Sequence, residues 1–281
     1  MNSPSSPILV AYDGSPDANR ALQWAAHLAG VRGDELSVCI ARGDLYSLSR
    51  WADEWTQGLA QEWADRAVKE LSESGTEPAN IEILDGLPAE AIIERSQGTP
   101  LLVMGSRGRG RLAGAVLGST SQHVVRHAKC PVAVVRDTKD EASSTVVVGV
   151  DGSDESLRAL ALGVDIAGAL GHSVHALYCW DPQPLVNEGR HGELMELVFN
   201  ELQQREDRIR AAVEAGSARG GVPAEFDVSR ARPTRALTDA SESASLVVVG
   251  SRGLGAFREL LLGSTSFGIL THARCPVLVA R

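Results

Sequence analysis

Gly105-Ser106-Arg107-Gly108 and, further along, Gly118-Ser119-Thr120 are residues of the types that hold phosphate, and their spacing is Gly-x2-Gly-x9-Gly-Ser. The first two glycines follow an apolar run, 101–104, short enough for a buried parallel strand, and the third stands where a helical pattern begins. Strand, glycine loop and helix start together present backbone N–H groups and the positive end of a helix dipole to an anion. Glycine lets the backbone come close to such a ligand, and Arg107 adds a cation. The same spacing recurs at Gly250, Gly253 and Gly263-Ser264-Thr265, after the apolar run 246–249 and with Arg252 in the place of Arg107. One glycine loop often only turns the chain. Two copies with one internal spacing point to a repeated anion site.

The segments around the loops supply what must position them. Residues 8–12 read as a buried strand ending at Asp13-Gly14-Ser15, where Ser15 is a helix N-cap and Pro16 suits the first helical position. Apolar residues from Ala18 to Ala29 follow helical spacing, and Gly30 and Gly33 end the helix. Residues 36–41 are a second strand, 49–74 a long helix, 81–84 a third strand, 88–96 a short helix, 119–128 a helix and 132–135 the last strand. In the long helix, Trp51, Trp55, Leu59 and Trp63 recur every four residues; a core-facing stripe is preferred to an aromatic platform or subunit contact. Ser119 and Gln122 are placed as a capping box. Five strands alternating with helices predict a parallel sheet covered on both faces. Residues 137–144 are polar, and the pattern then restarts with the strand 146–150 and Asp151-Gly152-Ser153. The expected division is a domain over 1–136, a linker over 137–145 and a second domain over 146–281.

Composition narrows the function. A chain of 281 residues suits two domains that each bury a core. A formal charge of −9 disfavours bulk nucleic-acid binding. Lys69, Lys129 and Lys139 are the only lysines and lie outside both loops, which excludes a Walker-type phosphate loop. No apolar run approaches membrane-spanning length and the N-terminus lacks a signal-peptide pattern, so a cytoplasmic protein is expected, with no membrane partner. Cys39, Cys130, Cys179 and Cys275 are too scattered for a disulfide framework and are read as reduced thiols.

In an open parallel sheet the ligand crevice lies at the carboxyl ends of the strands, where strand order reverses. If the first and fourth strands are neighbours, Asp13 and Gly105 line one crevice, and Asp151 and Gly250 another. A carboxylate facing a phosphate loop suits a nucleotide, as an acceptor for ribose hydroxyls or a holder of a divalent cation. With these residues in view, the sequence resembles the universal stress protein family, and within it the tandem two-domain members. The resemblance covers 8–136 and 146–281 and rests on Asp13 and Asp151, the two glycine loops, and the His-Ala-x-Cys-Pro-Val segments that begin at His127 and His272.

The resemblance implies a Rossmann-like α/β domain of sheet order 3-2-1-4-5 that binds adenine nucleotide, often ATP with Mg²⁺. It implies pairing of domains through their last strands, within the chain, with a homodimer as a further level. It places adenine near Ala11, Asp13 and Ala41 in the first half and Gly149, Asp151 and Cys179 in the second. The phosphates fall on Gly105, Arg107, Gly108, Gly118, Ser119 and Thr120, or on Gly250, Arg252, Gly253, Gly263, Ser264 and Thr265, with Met104 and Val249 leading into the two loops. Arg109 and Arg111 become Leu254 and Ala256 in the second copy, while Arg258 faces Ala113, so unequal phosphate affinity is expected, favouring the first half.

The pairs His127/Cys130 and His272/Cys275 lack the third and fourth ligands of a zinc site, since Gly268 stands where the first copy has His123, and packing is the preferred reading. Gly118-Ser119-Thr120-Ser121 is not a nucleophile elbow. No general base or phosphate-reaching lysine can be named. Taken with the resemblance, this implies an ATP-binding regulator of the stress response, acting on a protein partner, with slow or no hydrolysis. An ATP hydrolase or phosphotransferase using Asp13 or Asp151, and a scaffold that no longer binds nucleotide, are the alternatives.

Overall fold

The computed structural model describes residues 7–43, 50–108, 117–137, 143–180, 193–255 and 261–281. The chain divides into two compact units, Met1–Asp137 and Thr138–Arg281. The first runs β1 (Ile8–Ala11), α1 (Pro16–Arg32), β2 (Leu36–Ala41), α2 (Arg50–Glu73), β3 (Asn80–Leu84), α3 (Pro88–Arg95), β4 (Leu102–Gly105), α4 (Ser119–His127) and β5 (Val132–Val135). The second repeats it as β6 (Thr145–Val150), α5 (Asp154–Leu170), β7 (Ser173–Cys179), α6 (Glu193–Gly220), β8 (Ala224–Ser229), α7 (Pro233–Ala240), β9 (Leu246–Gly250), α8 (Ser264–His272) and β10 (Val277–Ala280).

In the first unit the strands lie in the order β3-β2-β1-β4-β5, and in the second in the order β8-β7-β6-β9-β10, with parallel pairing in both. The strands that pair on both sides need helices above and below, and β1, β4 and β9 are buried at every position. The outer strands β3 and β8 have no fully buried residue. Successive residues of β6 meet different helices: Gly163 of α5 lies against Val148, whereas a Cβ added to Gly149 would meet Leu237 of α7 at 2.8 Å.

Helix α1 starts as its sequence dictates. Ser15 accepts from the Ala18 N–H at 3.1 Å, Pro16 occupies the first turn, and Gly33 closes the helix in the left-handed region at φ 69°. Ser153 and Gly171 do the same for α5.

Two expectations are corrected here. The tryptophan stripe of α2 is not its core face: Trp55 is 51% exposed, and the helix docks through Ala60, Ala64, Ala67 and Leu71. Small residues win that face because α2 lies close against α1, β2 and β3, and a strict four-residue repeat drifts off a 3.6-residue helix. The side chain of Trp51 lies outside the described residues. The capping box at Ser119 does not form. Gly118 is the N-cap, with no side-chain bond to the helix, and Ser119 is the first helical residue. The Gly118 N–H donates to the Ser106 carbonyl at 2.8 Å, which seats the chain on the loop one residue earlier than the side-chain pattern implied.

Candidate functional site

The register brings the two chemical segments together. β1 lies between β2 and β4, with Ala11 opposite Cys39 on one side and Met104 on the other, and Gly149 stands likewise between Leu177 and Val249. Strand order reverses at this place, so the Asp-Gly-Ser turn and the glycine loop of each unit share the crevice at the strand ends.

Each turn is held by its own aspartate. Asp13 accepts from the Ser15 N–H at 3.0 Å. Asp151 accepts from the Ser153 N–H at 3.0 Å and the Ser153 hydroxyl at 2.6 Å, and its second oxygen accepts from the Leu254 N–H at 2.9 Å. The carboxylate thus ties the start of the unit to the far glycine loop. The second glycines make this approach geometrically feasible: an added Cβ would lie 2.6 Å from Asp13 Oδ2 at Gly108 and closer still to Asp151 Oδ2 at Gly253.

A second carboxylate, which sequence reasoning missed, anchors the first loop. Asp17, in the first turn of α1, is 4% exposed and accepts from the Ser106 hydroxyl at 2.7 Å and from the Arg107 N–H and Nε at 3.1 Å each. Burial works against its charge, yet the bonds from Ser106 and Arg107 and the charges of Arg107 and Arg20 hold its carboxyl below the ordinary carboxylate range. Glu155 takes the same part opposite Arg252, at 3.4 Å. Both loop arginines therefore lean on α1 or α5. Asp17 looked in sequence like an ordinary acid in a first helical turn, which is why it drew no attention.

The third glycines open the helices. The first helical bond of α4 is Gln122 N–H to the Gly118 carbonyl at 2.9 Å, and of α8 Phe267 N–H to the Gly263 carbonyl at 3.0 Å. The N–H groups of Ser119, Thr120 and Ser121, or of Ser264, Thr265 and Ser266, precede the first helical donor and have no carbonyl of their own helix to meet. Ser121 and Ser266 instead turn their hydroxyls back to the carbonyls of Gly105 and Gly250, at 2.9 and 2.6 Å. This leaves the helix start, with no capping side chain, facing the crevice.

In the second unit the ten residues singled out from the sequence all line one cavity of about 540 Å³. Its further walls were not foreseen: Tyr178, Trp180, Leu202, Arg205 and Leu237. Arg205 of α6 covers Gly152, whose added Cβ would sit 2.7 Å from the arginine Cγ; in the first unit Trp63 of α2 covers Gly14 in the same way, at 2.8 Å. Trp180 follows the end of β7, where Arg42 follows β2 and pairs with Asp53 and Asp85. These pairs were hidden because the segments before α2 and α6 differ in length, so the long helices cannot be set in register by eye. Arg109, Arg111, Ala113, Ala256 and Arg258 lie outside the described residues.

Ala11, Met104 and Val249 are buried, while Ala41 and Cys179 are partly exposed at the strand ends. Burial pushes the Cys179 thiol up to about 11 and the Cys39 thiol up to about 12, the opposite of an activated nucleophile. Alkylation of Cys179 is therefore expected to be slow at pH 7 and to climb about tenfold per pH unit toward pH 10, read by mass spectrometry of the labelled peptide. Fast labelling at pH 7 would contradict the burial argument. Cys130 and Cys275 are buried, and the His123 and His127 rings stack with centroids 4.3 Å apart. Among the described residues no group of three or more His, Cys, Asp or Glu is placed to hold a metal ion, and no helix is long and apolar enough to cross a membrane.

The model of the universal stress protein family matches residues 5–136 and again 143–281. The universal stress protein Rv2005c of Mycobacterium tuberculosis is 35% identical over 290 residues, covering 98% of this chain and 96% of that protein. Rv2623 of the same organism is 31% identical over 292 residues, with the same shares of each chain. A universal stress protein from Archaeoglobus fulgidus superposes with a TM-score of 0.70 over 99% of this chain and 98% of its own, at 22% identity, a likeness of fold. Two matches to one family model, and relatives aligned from end to end, show that the chain belongs to the universal stress protein family, with two of its domains in tandem.

Proposed function

We propose that each unit binds an adenine nucleotide at the carboxyl end of its sheet, ATP with Mg²⁺ first among them, and that the chain is a cytoplasmic, nucleotide-dependent regulator in the stress response. The observation that carries the reading is the pairing of a glycine loop with a helix start that no side chain caps, in both units. The second cavity fits the group. Leu177, Leu237, Val249 and Trp180 give it an apolar side for a planar base, and Gly149 keeps that side open, because a Cβ there would press on Leu237. The loop and the start of α8 supply N–H donors for phosphate. Asp151 is the carboxylate nearest the loop, so a divalent cation would take most of its ligands from phosphate oxygens and water.

Hydrolysis needs a base that can take a proton from water. Asp151 has its oxygens committed to Ser153 and Leu254, and among the described residues the cavity walls hold no histidine or lysine, which supports binding with slow or no turnover. The test is direct. Protein purified without added nucleotide is denatured, and the released small molecules are identified and counted. Two adenine nucleotides per chain are expected if both units work, and one if the units are unequal. None released, with no heat on titration with millimolar Mg-ATP, would refute the reading.

A further inference from the structure

A second hollow in the second unit lies at the amino ends of the strands, the opposite end of the sheet from the nucleotide crevice. Its volume is about 460 Å³, and it is lined by Thr145, Ser173, His175, Glu225 and Ser243, with Ala240 of α7 on its wall. Thr145 alternates in step with Gly149 along β6, and a Cβ at Gly149 would meet α7, so the hollow opens on the face that α7 covers. Asp227, on the same face of β8 as Glu225, meets the ring of His175, with Oδ2 and Nε2 2.9 Å apart.

The first unit shows what fills this place when the chain supplies it. Strand register makes Asp227 the counterpart of Glu82: Glu82 lies opposite Cys39 and Asp227 opposite Leu177, which lie in turn opposite Ala11 and Gly149. Helices α3 and α7 both start at a proline and run eight residues, so their last residues, Arg95 and Ala240, also correspond. Arg95 donates to both oxygens of Glu82, from Nε at 2.5 Å and from a terminal nitrogen at 3.4 Å. The second unit keeps the carboxylate, has Glu225 in the place of Asn80, and truncates the arginine to alanine. A hollow lined by acceptors remains beside that alanine. Among the described residues no group of three or more His, Cys, Asp or Glu is placed to hold a metal ion, so the hollow suits an organic cation with directional N–H donors.

We infer that this hollow binds a guanidinium group from outside the unit, which meets Asp227 and Glu225 as Arg95 meets Glu82. A guanidinium matches a carboxylate with two parallel N–H bonds, which an ammonium does not. The His175 ring gives up its contact with Asp227 at small cost, because the Asp227 side chain is 66% exposed. The same exposure keeps the site weak. A free guanidino compound and an arginine side chain of a second copy both offer the group.

The experiment titrates the full chain with ethylguanidinium and, at equal ionic strength, with ethylammonium, and follows the amide resonances of His175, Glu225 and Asp227. Ethylguanidinium is expected to shift them to saturation with a dissociation constant of about 1–10 mM, and ethylammonium to shift them far less. Asp227→Asn is expected to weaken binding about fivefold or more. Ala240→Arg, which gives the second unit a guanidinium of its own, is expected to abolish it. Circular dichroism and melting temperature check that each variant is folded. Sedimentation separates the two sources. A chain that stays monomeric, or whose association ethylguanidinium leaves unchanged, assigns the site to free guanidino compounds; self-association that ethylguanidinium reverses and Ala240→Arg abolishes assigns it to a second copy. Equal shifts with the two cations, shifts that never saturate, or undiminished binding to folded Ala240→Arg would overturn the inference, and none of these results bears on nucleotide binding.

Discussion

Gly105→Val is expected to unfold the first unit well ahead of the second. A Cβ at this glycine would lie 2.7 Å from the carbonyl carbon of Asp17 and 2.9 Å from the nitrogen of Ala18. These are backbone atoms of the first turn of α1, fixed on one side by the Ser15 cap and on the other by the Asp17 bonds to the loop, so the contact cannot be relieved by a side-chain rotation. Overpacking of this kind costs about 3 kcal/mol. For a unit of this size that lowers the transition by about 10 °C. Gly30→Ala is the matched control: it lies inside α1, where an added Cβ meets nothing within 4 Å, and it should raise stability by about 0.5 kcal/mol. Calorimetry reads the transition, and hydrogen exchange of β4 and β9 peptides shows which unit has loosened. Equal behaviour of the two variants, or loosening confined to β9, would contradict the close approach of loop and helix.

The same close approach explains what could be read in advance. Alternating strands and helices, the caps at Ser15 and Ser153, and the glycine spacing are local signals, written in neighbouring residues, and they led to the α/β architecture and to the loops. The choice of core face on α2 is not local. Trp55 and Trp63 look like core residues by size, but the face that docks is the one whose small residues allow the helix to come close, and that depends on what α1 and the sheet present to it. Asp17, Arg205 and Tyr178 escaped for a related reason. Each is an ordinary residue in its own segment, and only the fold brings it to a loop or turn distant in sequence. The arginines between the glycines, on which the expectation of a stronger first site rested, lie outside the described residues.

Asp17→Asn tests the carboxylate that anchors the first loop, and its signature is a dependence on pH. At neutral pH the substitution is expected to destabilise the first unit by about 3 kcal/mol, because it removes a buried charge that satisfies Ser106, the Arg107 backbone and two guanidinium groups, and it leaves those donors facing an amide. The folded carboxyl is held below the ordinary range, so its stabilisation is complete above the unfolded value near ~3.9 and is lost as pH falls through the lower folded value. Urea unfolding of native and Asp17→Asn chains should therefore differ by the same amount at pH 7 and pH 5, and the gap should close at pH 3 and below. A gap that stays open in acid would assign the stabilisation to shape. A gap that closes between pH 7 and pH 5 would mean that the carboxyl titrates high, as burial alone would have it, and that Ser106 and Arg107 do not hold its charge.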